Sequence, residues 1–256
     1  MSLTDIRARW LFRCACCLAV WGCPLPAWGA EKVALYTSYT DPPYATREVG
    51  NLTTLLADWL TRHAEGRYEF VATQLPRRRM DLLLTKPDWD GVVAWGNPVW
   101  FNDEARQRYA WSQPYMQDSD LVVSRKDKPV EYETGGHTLI GLKLGGIIGH
   151  RYAEIEPLLN SGQIVRDDAV SGEQSLRKLQ HGRVDFCFLQ ASALPYFRRT
   201  LPGFEEWARL AREPRARYQR YLFASKKQQA LIHYLDLQLE LLQKDPDWQA
   251  VLKPGR

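Results

Sequence analysis

Cysteine is scarce in most of this chain: Cys14, Cys16, Cys17 and Cys23 all fall near the N-terminus, which leaves only Cys187 beyond it. One thiol forms no intramolecular disulfide, so a fold here must rest on its own core. Cys187, within Val-Asp-Phe-Cys-Phe-Leu, reads as a small buried hydrophobe. Long apolar runs are missing too, and none approaches the roughly 20 residues that span a bilayer. Basic runs are confined to residues 77–79, and a net charge of +4 is small for 256 residues. That balance argues against nucleic acid as a partner, which calls for a strongly basic face. No G-x-S-x-G, H-E-x-x-H or metal-spaced His/Cys cluster occurs, and the five histidines are scattered. Residues 136–143 resemble a phosphate loop only superficially, with a displaced lysine and no Ser or Thr after it. Neither a metal, a cofactor nor a catalytic residue is therefore expected.

The N-terminus is present in a recognisable form. Arg7, Arg9 and Arg13 precede a short apolar stretch, 14–22, which Pro24 and Pro26 end before Ala27-Trp28-Gly29. This is the layout of an export signal, expected to cover residues 1–30 and to send the remainder to the periplasm. Lipid anchoring through Cys23 is the weaker alternative, because Trp21 is bulky where a small residue is usual.

Hydrophobic residues make up 45% of the chain and charged residues 25%, as in soluble globular proteins. Residues 89–115 stand out. A buried-type strand, 90–94, breaks at Trp95-Gly96-Asn97-Pro98 and becomes a connection rich in Trp, Tyr and Arg. Flat apolar surfaces beside a few directional polar groups suit a small-molecule pocket, and open α/β sheets bind ligands beyond their strand C-termini. A tryptophan-rich core loop is the alternative. Around this stretch, strands are expected at 32–37 and 68–74 and helices from Asn51 and from Pro76. A second α/β series follows, with strands at 139–148, 164–165 and 184–189. A helix leads on from 149–152, and another opens at Ser171, with Gln174 completing a capping box. Helical spacing returns at Leu231, Ile232, Leu235, Leu239 and Leu242. Extended segments at 119–126 and 218–225 lie between the halves, which predicts two lobes with a hinge of two crossings. The expected lobes are 31–120 plus 222–256, and 121–221.

Four segments resemble the family-three extracellular solute-binding proteins. They are Asp41-Pro42-Pro43-Tyr44, Tyr109-Ala110-Trp111-Ser112-Gln113-Pro114-Tyr115, Leu179-Gln180-His181-Gly182-Arg183-Val184-Asp185 and Tyr221-Leu222-Phe223-Ala224-Ser225-Lys226-Lys227. The resemblance implies an α/β, two-lobed periplasmic binding protein of type II. It implies a monomer that holds a small molecule and hands it to an ABC permease, or presents it to a membrane sensor. Arg106 corresponds to the family's carboxylate-gripping arginine, although it stands one residue too near Trp111. The family's ammonium-binding aspartate falls at Gln190, and its lobe-two binding loop at 149–152, with His150, Arg151 and Tyr152. These departures favour a small anionic or neutral polar ligand. Asp41, Tyr44, Trp95, Asn97 and Trp100 complete the expected site, and Arg79 is a further candidate. Some family relatives are dehydratases; Asp41 and His150 are the residues here that could serve such chemistry, but no enzyme is expected.

Overall fold

The computed structural model describes residues 29–45 and 50–252. The expected export signal lies outside them apart from residues 29 and 30, and so do the four N-terminal cysteines. The first strand, β1 (Glu31–Thr37), is followed by α1 (Leu52–Arg62), β2 (Tyr68–Gln74), α2 (Arg77–Leu84) and β3 (Val92–Gly96). Asn51 starts α1 as predicted, its side chain accepting the Thr54 N–H at 2.9 Å. The helix buries Leu52, Leu56, Trp59 and Leu60. β1 runs parallel to both β2 and β3, pairing Val33 with Phe70 and Leu35 with Val92. Parallel neighbours need helical crossovers, which α1 and α2 supply. β3 begins two residues later than predicted because Gly91 turns the chain at φ +96. A Cβ there would stand 2.7 Å from the Ala34 carbonyl.

Two strands then lead outward: the short β4 (Tyr109–Trp111) and the long β5 (Met116–Arg125). The second series comprises β6 (Lys143–Ile147), α3 (Glu156–Asn160), β7 (Val165–Ala169), α4 (Gly172–Gln180), β8 (Phe186–Gln190), α5 (Leu194–Thr200), α6 (Phe204–Trp207) and β9 (Ala208–Leu210). The strand expected at 139–148 is shorter, since Leu139 closes a buried 3-10 turn and Gly141 bends the chain at φ +81. Residues 149–152 do not start a helix directly; a 3-10 turn, Ala153–Ile155, comes first. At α4, Ser171 Oγ accepts the Gln174 N–H at 3.2 Å. Gln174 in return accepts from Val170 rather than from Ser171. The chain returns through β10 (Ala216–Ser225) and ends in α7 (Gln229–Leu242) and α8 (Pro246–Leu252).

The strands lie in the order β2-β1-β3-β10-β5-β8-β6-β7, with β4 on β10 and β9 on β5. Two strands connect the lobes. In β10, residues 221–225 pair with β3 and β4, whereas residues 216–220 pair with β5. β5 in turn pairs through residues 120–124 with β8. The lobes are thus joined by an antiparallel two-stranded ribbon, 116–120 against 216–220.

Each lobe has its own interior. The first packs Leu35, Leu56, Leu60, Trp95, Phe223, Ile232 and Leu239 together. In the second, side chains alternate across β8. Cys187 and Leu189 join the cluster of Leu176, Leu179 and Phe197, while Phe186 joins Val122, Leu144 and Ile155 on the opposite face. No helix among the described residues is long and apolar enough to cross a membrane.

Candidate functional site

The C-terminal ends of β1, β3, β6, β7 and β8 converge where the lobes face each other, the position at which open α/β sheets take ligands. A chamber of about 80 Å³ lies there, lined among others by Asp41, Arg77, His150, Gln190, Arg215 and Tyr218. A larger, open hollow of about 770 Å³ flanks the hinge, bordered by Pro43, Met116, Pro195, Arg217 and Leu252. Of the converging strand ends, only the turns after β1 and β8 border that hollow, so the chamber is the better-built site.

Behind Tyr39, Tyr44, Trp100 and Tyr218, which line it, lies a buried ion pair. Arg220 and Asp118 lie on the two hinge strands, 2.6 Å apart, with side chains 0% and 1% exposed. Arg220 Nε and Nη2 donate to Asp118 Oδ2 at 3.0 and 2.6 Å. Nη1 donates to the Tyr39 hydroxyl at 2.8 Å and the Trp95 carbonyl at 3.1 Å. Nη2 also reaches the Tyr218 hydroxyl at 3.4 Å. Four rings surround the guanidinium, with centroids 4.6 Å (Tyr44), 5.1 Å (Tyr39), 5.3 Å (Tyr218) and 5.7 Å (Trp100) from its carbon. Burial raises the Asp118 pKa, but Arg220 and the Ser192 hydroxyl outweigh that and hold the carboxyl below its ordinary value.

Contacts across the cleft tie the lobes. The Tyr44 hydroxyl lies 2.8 Å from Ser192 Oγ and 3.0 Å from Asp118 Oδ2. Asp41 accepts the Gly172 N–H at the start of α4, at 2.6 Å. The Asp41 carboxyl is raised by burial, against the lowering effect of the Gly172 and Glu173 N–H groups. Arg151 donates to Asn102 at 2.5 Å. His150 sits edge-on to Tyr39 with centroids 6.4 Å apart, and burial followed by the Arg77 charge pulls its pKa to about 4.

Trp95 carries the one clear backbone strain in the chamber, at φ +64. A bulky residue in the left-handed region costs of order 1–3 kcal/mol unless its surroundings enforce it. Here they do: its N–H meets the Tyr115 hydroxyl at 3.1 Å, its indole N–H meets Thr53 at 2.9 Å, and its carbonyl meets Arg220.

Arg215 forms the second-lobe wall. Its Nη groups donate to Asp120 and Glu154, and its guanidinium lies over Phe188, 4.7 Å from the ring centroid. The side chain is only 5% exposed, and its buried Nε has no hydrogen-bond partner among the described residues.

Of the residues expected from sequence, Asp41, Tyr44, Trp95, Trp100, His150, Arg151, Tyr152 and Gln190 line the chamber. Two are elsewhere. Asn97 caps the following turn through the Val99 N–H and donates to the Gln219 carbonyl. Arg106 is exposed, at φ +55, with its guanidinium over the Tyr221 ring. Arg79 is exposed as well, and Arg77 takes the chamber position instead, donating to the Trp100 carbonyl at 2.6 Å. Sequence reasoning missed Tyr39, Asp118, Asp120, Arg215, Tyr218 and Arg220. A signal was available in polar residues at i and i+2, Asp118/Asp120 and Tyr218/Arg220, which alternation places on one face of each crossing strand.

No family model matches the chain, and no curated relative does. Solved structures do. The P235GK mutant of ArgBP from T. maritima shares 17% identity at TM-score 0.67, covering 86% of this chain and 93% of that one. A Salmonella typhimurium periplasmic binding protein of high arginine specificity, STM4351, shares 20% at TM-score 0.63, covering 87% and 97%. AncCDT-1, an ancestral amino-acid-binding protein and precursor of cyclohexadienyl dehydratase, shares 13% at TM-score 0.64, covering 87% and 93%. The likeness establishes the fold as that of a two-lobed periplasmic binding protein of type II.

Proposed function

We propose that the chain is a periplasmic solute-binding protein whose lobes close over a small polar or anionic, amino-acid-like metabolite for delivery to an ABC permease. The observation that carries this reading is the chamber between the facing lobes, lined by Arg77, Arg215, His150 and Gln190 at the strand ends. The lobe boundaries we propose remain 31–120 with 222–256, and 121–221; the change of partners along β10 supports them. We read the protein as a binder rather than an enzyme. Asp41 is engaged by the start of α4, and His150 is neutral near pH 7, so neither is poised as an acid.

A thermal-shift screen of amino acids, carboxylates, polyamines and sugars tests the reading, with mass spectrometry of any co-purified molecule. A ligand at about 100 times its Kd should add roughly 2.7 kcal/mol of stability. Arg215→Lys, which takes the planar guanidinium out of the chamber wall, should weaken that ligand about tenfold, equivalent to ~1.4 kcal/mol. An empty cleft with no stabilising solute would refute the reading.

A further inference from the structure

Arg220 is a cation enclosed as a ligand would be. Aromatic faces within about 6 Å attract a cation through their quadrupoles, more strongly when water is excluded. Tyr39, Tyr44, Trp100 and Tyr218 provide such faces, and the side chain they surround is fully buried. A guanidinium has five N–H donors, and here each nitrogen already donates to protein. Asp118 is equally committed. Its Oδ2 accepts from Arg220 and from Ser192 Oγ at 2.7 Å, and its Oδ1 from the backbone of Ser119 and Ser192.

We propose that Arg220 is a built-in occupant of the cleft's cation site and so determines specificity: it shuts out arginine- and lysine-like ligands. The inference rests on the reading of the chamber as a ligand site, and it names the class of ligand that site refuses. The carboxylates lining the chamber offer a cation no alternative. Asp120 accepts from Arg215 and from the Tyr218 hydroxyl, and Asp41 holds the first N–H of α4. The chamber's volume of about 80 Å³ is also small, since a single water accounts for about 30 Å³ of liquid. The ring faces that would hold a guanidino group beside the chamber are already taken up by Arg220. The ligand that fits brings acceptor oxygens to a chamber lined by Arg77 and Arg215 and has no cationic arm. That sets the chain apart from structural neighbours described as arginine-bound or arginine-specific.

Removing the side chain should turn the built-in occupant into an external one. Arg220→Ala deletes everything beyond Cβ, a fragment equivalent to ethylguanidinium. Thermal unfolding of the purified wild type and Arg220→Ala is measured with millimolar ethylguanidinium, with ethylurea as the neutral control of like shape, and with L-arginine. The wild type should respond to neither ethylguanidinium nor L-arginine. Arg220→Ala should gain several degrees from ethylguanidinium and nothing from ethylurea. A folded Arg220→Ala that gains no more from ethylguanidinium than from ethylurea overturns the proposal. If that variant does not fold unaided, its recovery from urea in the presence of each compound is the readout, and equal failure with both overturns the proposal. Wild-type binding of L-arginine also overturns it while leaving the ligand-binding reading intact. If no solute in the wider screen binds the wild type, that reading fails, whereas rescue of Arg220→Ala by ethylguanidinium still upholds the built-in occupant.

Discussion

Asp41 in the first lobe accepts the backbone N–H of Gly172 in the second, at 2.6 Å. A carboxylate from one lobe thereby caps a helix of the other. Helix N-termini carry unsatisfied N–H groups and a partial positive charge, so the contact stabilises the facing arrangement of the lobes. Replacing such a cap typically costs about 0.5–2 kcal/mol. Asp41→Ala should lower stability by that amount in urea unfolding. It should also enlarge the radius of gyration in small-angle scattering, as the lobes lose one of their ties.

The hinge ion pair predicts a larger effect. Asp118→Ala leaves Arg220 charged and buried among four rings, and removing one member of a buried pair costs about 3–5 kcal/mol. Replacing both, as Asp118→Leu with Arg220→Met, should cost less than Asp118→Ala alone in a double-mutant cycle. The pH dependence follows from the depressed Asp118 pKa. The unfolded carboxyl protonates near pH 4 and the folded one only lower, so its stabilisation is complete above that range. It is lost as pH falls through the folded value, and denaturation midpoints across this interval measure it.

His150 adds a second pH effect at milder acidity. Its folded pKa is about 4, whereas an unfolded histidine titrates near 6.5. Between these values the unfolded state binds the extra proton, so stability falls with pH by up to about 1.4 kcal/mol per unit. His150→Phe should flatten the urea midpoint between pH 6.5 and pH 4. An unchanged slope would mean that His150 is protonated in the folded protein.

Cys187 should be chemically silent. Burial pushes its thiol up to about 12, with the Ser175 hydroxyl at 3.0 Å. The thiolate is the reactive form, and it is scarce at neutral pH. An aromatic disulfide reagent should therefore label Cys187 only in denaturant, and rapid labelling of the native protein would contradict its placement.

Arg106→Ala gives a negative prediction. The resemblance to the solute-binding family makes Arg106 the ligand's grip, but the structure lays it on Tyr221 at the surface. Any ligand found by the screen should bind this variant with affinity unchanged in calorimetry.

The contrast between Arg106 and Arg220 shows which parts of the site were legible in sequence. Residues in the turns at strand ends, such as Tyr44 and Trp95, were found because a strand followed by a turn fixes where its end lies, whereas Gln190 came from the family resemblance. Helix starts at Asn51 and Ser171 were visible for the same local reason. Asp118 and Arg220 are 102 residues apart, and their meeting depends on the pairing of β5 with β10, which neither segment specifies by itself. Arg106 was placed by motif alignment, but the turn from 97 to 108 is organised by the buried Asp103. That carboxylate accepts from the backbone of Gln107, Arg108 and Tyr109 and from the Trp111 indole, which carries Arg106 outward.

The route of β10 has a consequence for how the protein is made. The first lobe begins at Glu31, yet its interior includes Leu222, Phe223, Ile232, Leu235, Leu239 and Leu242. Ribosomes release a chain from its N-terminus, and a domain folds only when its contributing segments are available. The earlier-made lobe therefore waits for residues 222–242, while the later-made one, enclosed between the crossings, has all its strands first. The order of synthesis and the order of completion are reversed.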